Sequence, residues 1–210
     1  MPDSLLLIGT VYWDRVKWPQ FVEAGQRRNL MVHCGGHVSD QYLQVCESSG
    51  YKFTDRPRTG QKLSIGYPYF RATAGLVARV ALMLTHTLWR KILPAEAEQA
   101  NAELNDQVYK LLCAQRWKTA SEIGMFSLSD VMLVGTTDMQ HRIRLCNTAI
   151  ALKNLEQADD MNRLLGSIDW SASIRDFRFA VAILQNRHSD AIKVMKEIGK
   201  SDPVPINSPD

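Results

Sequence analysis

Between Pro68 and Pro94 no proline breaks the chain, and Phe70, Ala74, Val77, Ala81, Leu84 and Leu88 recur at alternating steps of four and three residues. That spacing is the period of a helix face and not of a strand, so it predicts one long helix from Pro68 to Leu93 with a single apolar stripe. Pro94 closes it, because proline lacks the amide that a further turn would need. The rest of the chain reads in the same way. Pro19 stands just inside a proline-free stretch, Gln20 to Cys34, that ends at Gly35-Gly36, the layout of a helix with proline near its start and glycine past its end. Ser39 can cap a short second helix over Asp40–Glu47. Beyond Pro94 the residues are rich in Ala, Glu and Gln, which favour helix intrinsically. The expected fold class is all-α.

One segment departs from this pattern. Residues 51–67 mix Gly, Pro and Thr with Lys52, Arg56, Arg58 and Lys62, and alternate briefly at Lys62-Leu63-Ser64-Ile65, so a basic loop with a small hairpin is expected. Around these cations stand Tyr51, Phe53, Tyr67, Tyr69 and Phe70, a mixture of charge and rings suited to single-stranded RNA. The net charge of +3 conceals an asymmetry: residues 1–93 carry 12 Lys/Arg against 6 Asp/Glu, and residues 94–210 carry 13 against 16. The first part is the one equipped to meet an anion. Three parts are expected: a helical unit over 1–93, a second helical unit over 94–200, and a loose proline-containing tail over 201–210.

In the second unit a weak repeat appears when Leu111-Leu112-Cys113 leading to Trp117 and Ala120 is laid over Ala149-Ile150-Ala151 leading to Leu155 and Ala158, and over Val181–Leu184 leading to His188 and Ala191. The alanines fall near the ~34-residue period of tetratricopeptide-type hairpins. Read this way, the second unit is α-solenoid-like, a class of surface that receives protein partners.

Several classes are set aside. Gly-rich phosphate loops, GxSxG elbows, HExxH pairs and dinucleotide fingerprints do not occur. The most apolar window, Ala72–Leu84, contains Arg79 and is shorter than the ~20 residues of a membrane span. The residues around Leu5–Ile8 lack the charged and apolar regions of a secretory leader. Cys34, Cys46, Cys113 and Cys146 are scattered without a CxxC pair, as in a reducing compartment. A cytoplasmic chain without membrane contact is expected.

The sharpest local feature is Arg27-Arg28-Asn29-Leu30-Met31-Val32-His33. Asn29 and His33, four apart, share a helix face, and Arg28 lies about 140° round from His33, within reach of the same ligand. An arginine can clamp a phosphate with two hydrogen bonds, and an imidazole, with its ordinary pKa near neutrality, can move protons to or from ribose oxygens. His33, Cys34, His37 and Cys46 also lie within fourteen residues. The adjacent pair would point about 100° apart on a helix, a poor zinc spacing. No metal or cofactor is expected.

Arg28-Asn29-Leu30-Met31-Val32-His33 resembles the Arg-Asn-x-x-x-His form of the motif of HEPN (higher eukaryotes and prokaryotes nucleotide-binding) domains, many of which are metal-independent ribonucleases of toxin and antiviral defence systems. The flanking Phe21-Val22-Glu23 and Cys34-Gly35-Gly36-His37-Val38-Ser39 strings are similar to those of bacterial HEPN-type proteins. The likeness covers residues 18–46 and thins along 68–93. It implies a HEPN-like helical bundle, with Arg28 and His33 as the catalytic pair and Asn29 as the orienting residue. In that family the motif usually comes late in a four- or five-helix bundle, so the bundle here is expected to be incomplete at its N-terminal side. One motif offers a single histidine, whereas cleavage by a ribose 2′-hydroxyl needs both a base and an acid. The resemblance therefore implies a homodimer through the motif helix. RNA is the expected partner, contacted further by Arg27, Lys52, Arg56, Arg58 and Lys62.

Overall fold

The computed structural model describes residues 17–201, and every regular element among them is helical. The helices are α1 (Lys17–His33), α2 (Asp40–Ser48), α3 (Tyr67–Ile92), α4 (Ala97–Cys113), α5 (Trp117–Ser127), α6 (Asp130–Leu133), α7 (Asp138–Asn154), α8 (Ala158–Leu165), α9 (Arg175–Leu184) and α10 (His188–Ser201), with a 3-10 turn at Pro94–Glu96. The chain divides into two compact units, Met1–Leu88 and Trp89–Asp210. This division lies inside α3, five residues before the one expected at 93/94. The expected tail from 202 onward, and the question of what precedes α1, lie outside the described residues.

In the first unit α1 packs on α2, and the reason lies in their apolar positions. Leu30 from α1 meets Val38, Tyr42, Leu43 and Cys46, and Tyr51, Phe53 and Leu63 from the loop close the cluster. Ser39 caps α2 as expected, its Oγ accepting from the Tyr42 amide at 3.2 Å. The loop forms no hairpin. Its one ladder contact is an antiparallel bridge between His37 and Lys62. Gly36 makes that approach possible: it has a φ of +84°, and a Cβ there would stand 3.0 Å from the Leu63 carbonyl oxygen.

The apolar stripe of α3 faces outward. Phe70 is 61% exposed, Val77 44% and Leu84 48%, and Ala74 and Ala81 are exposed too. What is protected is the opposite side, with Leu76 and His86 buried and Tyr69 and Met83 half-buried. As folded, α3 is the one helix among the described residues with the length and composition of a membrane span, although the sequence window alone falls short of one.

The second unit is built around α7, whose buried residues Arg144, Leu145, Cys146, Thr148, Ala149, Ala151 and Leu152 cover about 220° of the helix, with Ile143, Asn147 and Ile150 half-buried on the rest. A helix covered to this extent is the centre of its bundle, and α4, α5, α8 and α9 all pack on it. A capping box starts it, Thr137 and Gln140 exchanging side-chain bonds to each other's amides. At Gly124 the approach of α5 to α7 is so close that a Cβ would fall 3.0 Å from that of Thr148. The buried Arg144 takes no carboxylate. Its five donors go to Asn105 Oδ1, to the Ser127 and Met132 carbonyls, and to the carbonyl and Oδ1 of Asn101. Burial, then Arg90, pulls its guanidinium down to about 10, still charged at neutral pH.

A repeat is present in the turns and not in the alanines. Gln115, Glu156 and Asn186 each end a helix with positive φ, and in each case the next amide bonds back five residues, to Leu111, Leu152 and Ala182. These are three copies of one helix stop, the Schellman turn. Aligned on them, Ala120 matches Met161 and Ala191, while Ala158 matches Trp117 and His188 as the first residue of its helix. The alanine register expected from sequence is therefore shifted by three residues at its middle member.

Candidate nucleic-acid interface

Arg28, Asn29 and His33 are all solvent-exposed on the last turns of α1. The core contact of Leu30 fixes the rotation of the helix, which turns these three outward. The Arg28 Nη1 donates to Asn29 Oδ1 at 3.2 Å, so the amide holds the guanidinium at the root of the exposed face. His33 is the final helical residue. The chain then reverses at once, the Cys34 and Gly36 amides both bonding the Leu30 carbonyl at 2.9 and 3.0 Å.

Three further backbone bonds lay the basic loop beside this reversal. Leu63 N–H donates to Gly36 O at 2.8 Å, Val38 N–H to Gln61 O at 2.9 Å and Gly60 N–H to Val38 O at 2.8 Å. Lys62 consequently returns within a few residues of His33 in the fold, although it is 29 positions away in sequence. Lys52, Arg58 and Lys62 are exposed. Arg56 is exposed too, but its Nε is paired with Glu47 of α2. That carboxylate is held below its ordinary range chiefly by the hydrogen bond from Arg56.

Arg27 is placed differently from the other cations. Its Nε donates to Glu23 Oε1 at 2.7 Å and its guanidinium lies over the Tyr69 ring, 4.1 Å from the centroid. Burial works against its charge, and Glu23, with Tyr42 and Tyr69, more than offsets that, leaving its pKa above the ordinary value. Glu23, which the sequence did not single out, is the anchor beneath this surface. It is buried, and also accepts from Tyr42 Oη at 2.8 Å and from Tyr69 Oη at 2.9 Å. One carboxylate thereby ties α1 to α2 and to the start of α3. Burial, then the Glu23 carboxylate, pushes both phenols well above their ordinary range. The one sequence signal for this anchor was the Glu-to-Arg spacing of four on a helix.

The four soft ligands near the motif do not form a set. Cys46 is in the core, its thiol pushed up to about 11 by burial and then by Glu23, whereas His33, Cys34 and His37 are exposed. Among the described residues no three His, Cys, Asp or Glu side chains converge on one point. Elsewhere, His86 is buried and His141 half-buried, the latter with its pKa lowered by burial and then by Arg144.

No protein-family model matches the chain, nor does any curated protein or solved structure.

Proposed function

We propose that this protein is a metal-independent endoribonuclease of toxin or antiviral-defence type, acting on cytoplasmic RNA through Arg28 and His33. The observation that carries the reading is the exposed grouping of Arg28, Asn29 and His33 at one helix end, with the guanidinium oriented by the amide and Lys62 returning alongside. In the reaction the ribose 2′-oxygen attacks the neighbouring phosphorus and the bond to the 5′-oxygen breaks. One histidine takes the 2′-proton and a second gives a proton to the leaving 5′-oxygen. Arg28 stabilises the charge that gathers on the phosphoryl oxygens. A single chain supplies one His33, so the second comes from another copy, in a composite site. Lys52, Arg58 and Lys62 hold the flanking phosphates, a sequence-tolerant and salt-sensitive contact.

The second unit serves recognition in this reading. Its exposed Ile174, Ile183, Ile192 and Met195 on α9, α10 and the residue before α9 offer apolar surface to a regulatory protein. A second reading, binding of RNA without cutting, is favoured by the openness of the motif face, which is all exposed helix surface. Incubation of mixed single-stranded RNAs with the full chain in chelator separates the two. Cutting is expected from the wild type and is expected to fall at least ~100-fold in Arg28→Ala, the scale of loss for a charge-stabilising donor, and in His33→Ala, that for a proton-transfer group. Retention of RNA without cutting by all three proteins would instead establish the binding reading.

A further inference from the structure

The exposed stripe on α3 has a narrower period than a core-facing helix needs. Tyr67, Ala74, Ala81 and Leu88 fall at one position of a seven-residue repeat, and Phe70, Val77 and Leu84 fall three residues after the first three of them. A strict repeat of this kind, 3.5 residues per turn over three heptads, is the seam of a helix that pairs with another helix lengthwise. Within its own unit α3 packs closely on neither α1 nor α2, meeting α1 through Tyr69 on the far side of the helix. The most apolar face is the one left outside: Tyr67 is 72% exposed and Phe70 61%.

We infer that α3 pairs with α3 of a second copy of this chain, in antiparallel orientation. Small and large residues alternate along the seam so that a reversed copy fits: Phe70 meets Leu88, Ala74 meets Leu84, and Val77 meets Ala81, each layer setting a larger side chain against an equal or smaller one. Parallel pairing would instead set Phe70 on Phe70 and alanine on alanine. Charge points the same way. From Tyr67 to Ile92 the helix carries Arg71, Arg79, Arg90 and Lys91 and no acidic residue. Lys91, three residues after Leu88, continues the seam, and in the reversed register it faces Tyr67 of the partner and lies far from the partner's Lys91, while Arg71 lies to one side of the seam. Arg79 is on the opposite side of the helix.

The area is that of a weak, reversible dimer. The seam from Tyr67 to Leu88 is about 33 Å long at ~1.5 Å per residue and about 12 Å wide. The two copies together would bury about 800 Å², at the small end of protein interfaces. A bilayer is the other environment for such a helix, and it fits less well, because Arg71 and Arg79 would lie in hydrocarbon and the apolar residues occupy only one side. This surface is separate from the motif helix, where among the described residues the large exposed apolar side chains are Trp18 and Val32, which form no stripe.

The inference stands on the seam and is independent of catalysis. Sedimentation equilibrium of the full chain is expected to give a dimer, and the Val77→Glu/Leu84→Glu variant, changed only at exposed positions, a folded monomer by circular dichroism. A monomeric wild type, or a variant that still dimerises, would overturn the inference. So would a monomeric wild type that floats with phosphatidylcholine vesicles, which would assign the face to a membrane. Orientation is read by cross-linking in a Cys34→Ser/Cys113→Ser background: Val77→Cys should join Ala81→Cys of another copy on oxidation. Val77→Cys joining itself more efficiently would contradict the antiparallel register. If the monomeric variant still cleaves RNA, the composite site fails while the seam stands.

Discussion

Glu23 shows how much of the candidate interface depends on a residue that never touches solvent. Its carboxylate serves three donors on three elements, Arg27, Tyr42 and Tyr69, and Arg27 is held between Glu23 and the Tyr69 ring. Deleting it leaves a half-buried cation and two phenols without their acceptor. Glu23→Ala should therefore destabilise the first unit by about 3–5 kcal/mol, the usual cost of breaking a buried pair. Glu23→Gln, which keeps the acceptor oxygen, should recover part of that. Urea denaturation followed by tyrosine fluorescence measures both, and equal stability of Glu23→Ala and wild type would contradict the anchor. A lone glutamate beside charged neighbours reads in sequence as a solvated residue, which is why only its spacing to Arg27 hinted at this role.

Elements were easier to read than their surroundings. The ends of α1, α2 and α3 fall within three residues of the expected Gln20–Cys34, Asp40–Glu47 and Pro68–Leu93, because proline, glycine and a serine cap act locally. Periodicity tells which residues of α3 share a face but not what the face meets, so its outward direction was not legible. The repeat of the second unit was misaligned for a related reason. Its recurring feature is a left-handed turn residue, and here that position holds Gln115, Glu156 and Asn186, none of which advertises the turn as glycine would. This carries its own test. Left-handed backbone costs a side-chain-bearing residue about 1–2 kcal/mol, part of which glycine returns as unfolded-state entropy. Glu156→Gly is expected to raise stability by roughly 0.5–1 kcal/mol, seen as a higher Tm. A lower Tm would mean that the Glu156 side chain contributes contacts beyond the turn.

At the scale of the whole molecule, buried acids with raised pKa values tie stability to alkaline pH. Burial, then Glu23, lifts the Tyr42 and Tyr69 phenols, and burial first lifts the thiols of Cys46 and Cys146 to about 11. Between the ordinary thiol value near 9 and these raised values the folded chain keeps protons that the unfolded chain releases, so stability falls as pH rises. Arg144, lowered to about 10, acts in the opposite sense only above that pH. The Tm should be level from neutrality to about pH 9 and decline beyond it. A Tm level to pH 11 would show that these groups are hydrated in solution.

The central claim concerns the exposed end of α1, and the chemistry of the RNA ends tests it most directly. Single-stranded RNA is treated with the full chain in chelator and the fragments are analysed by mass. Attack by the ribose 2′-hydroxyl leaves a 2′,3′-cyclic phosphate on one fragment and a 5′-hydroxyl on the other, and those ends, absent with His33→Ala, are the expected result. Fragments ending in 3′-hydroxyl and 5′-phosphate, or cyclic-phosphate ends that persist undiminished in His33→Ala, would contradict it.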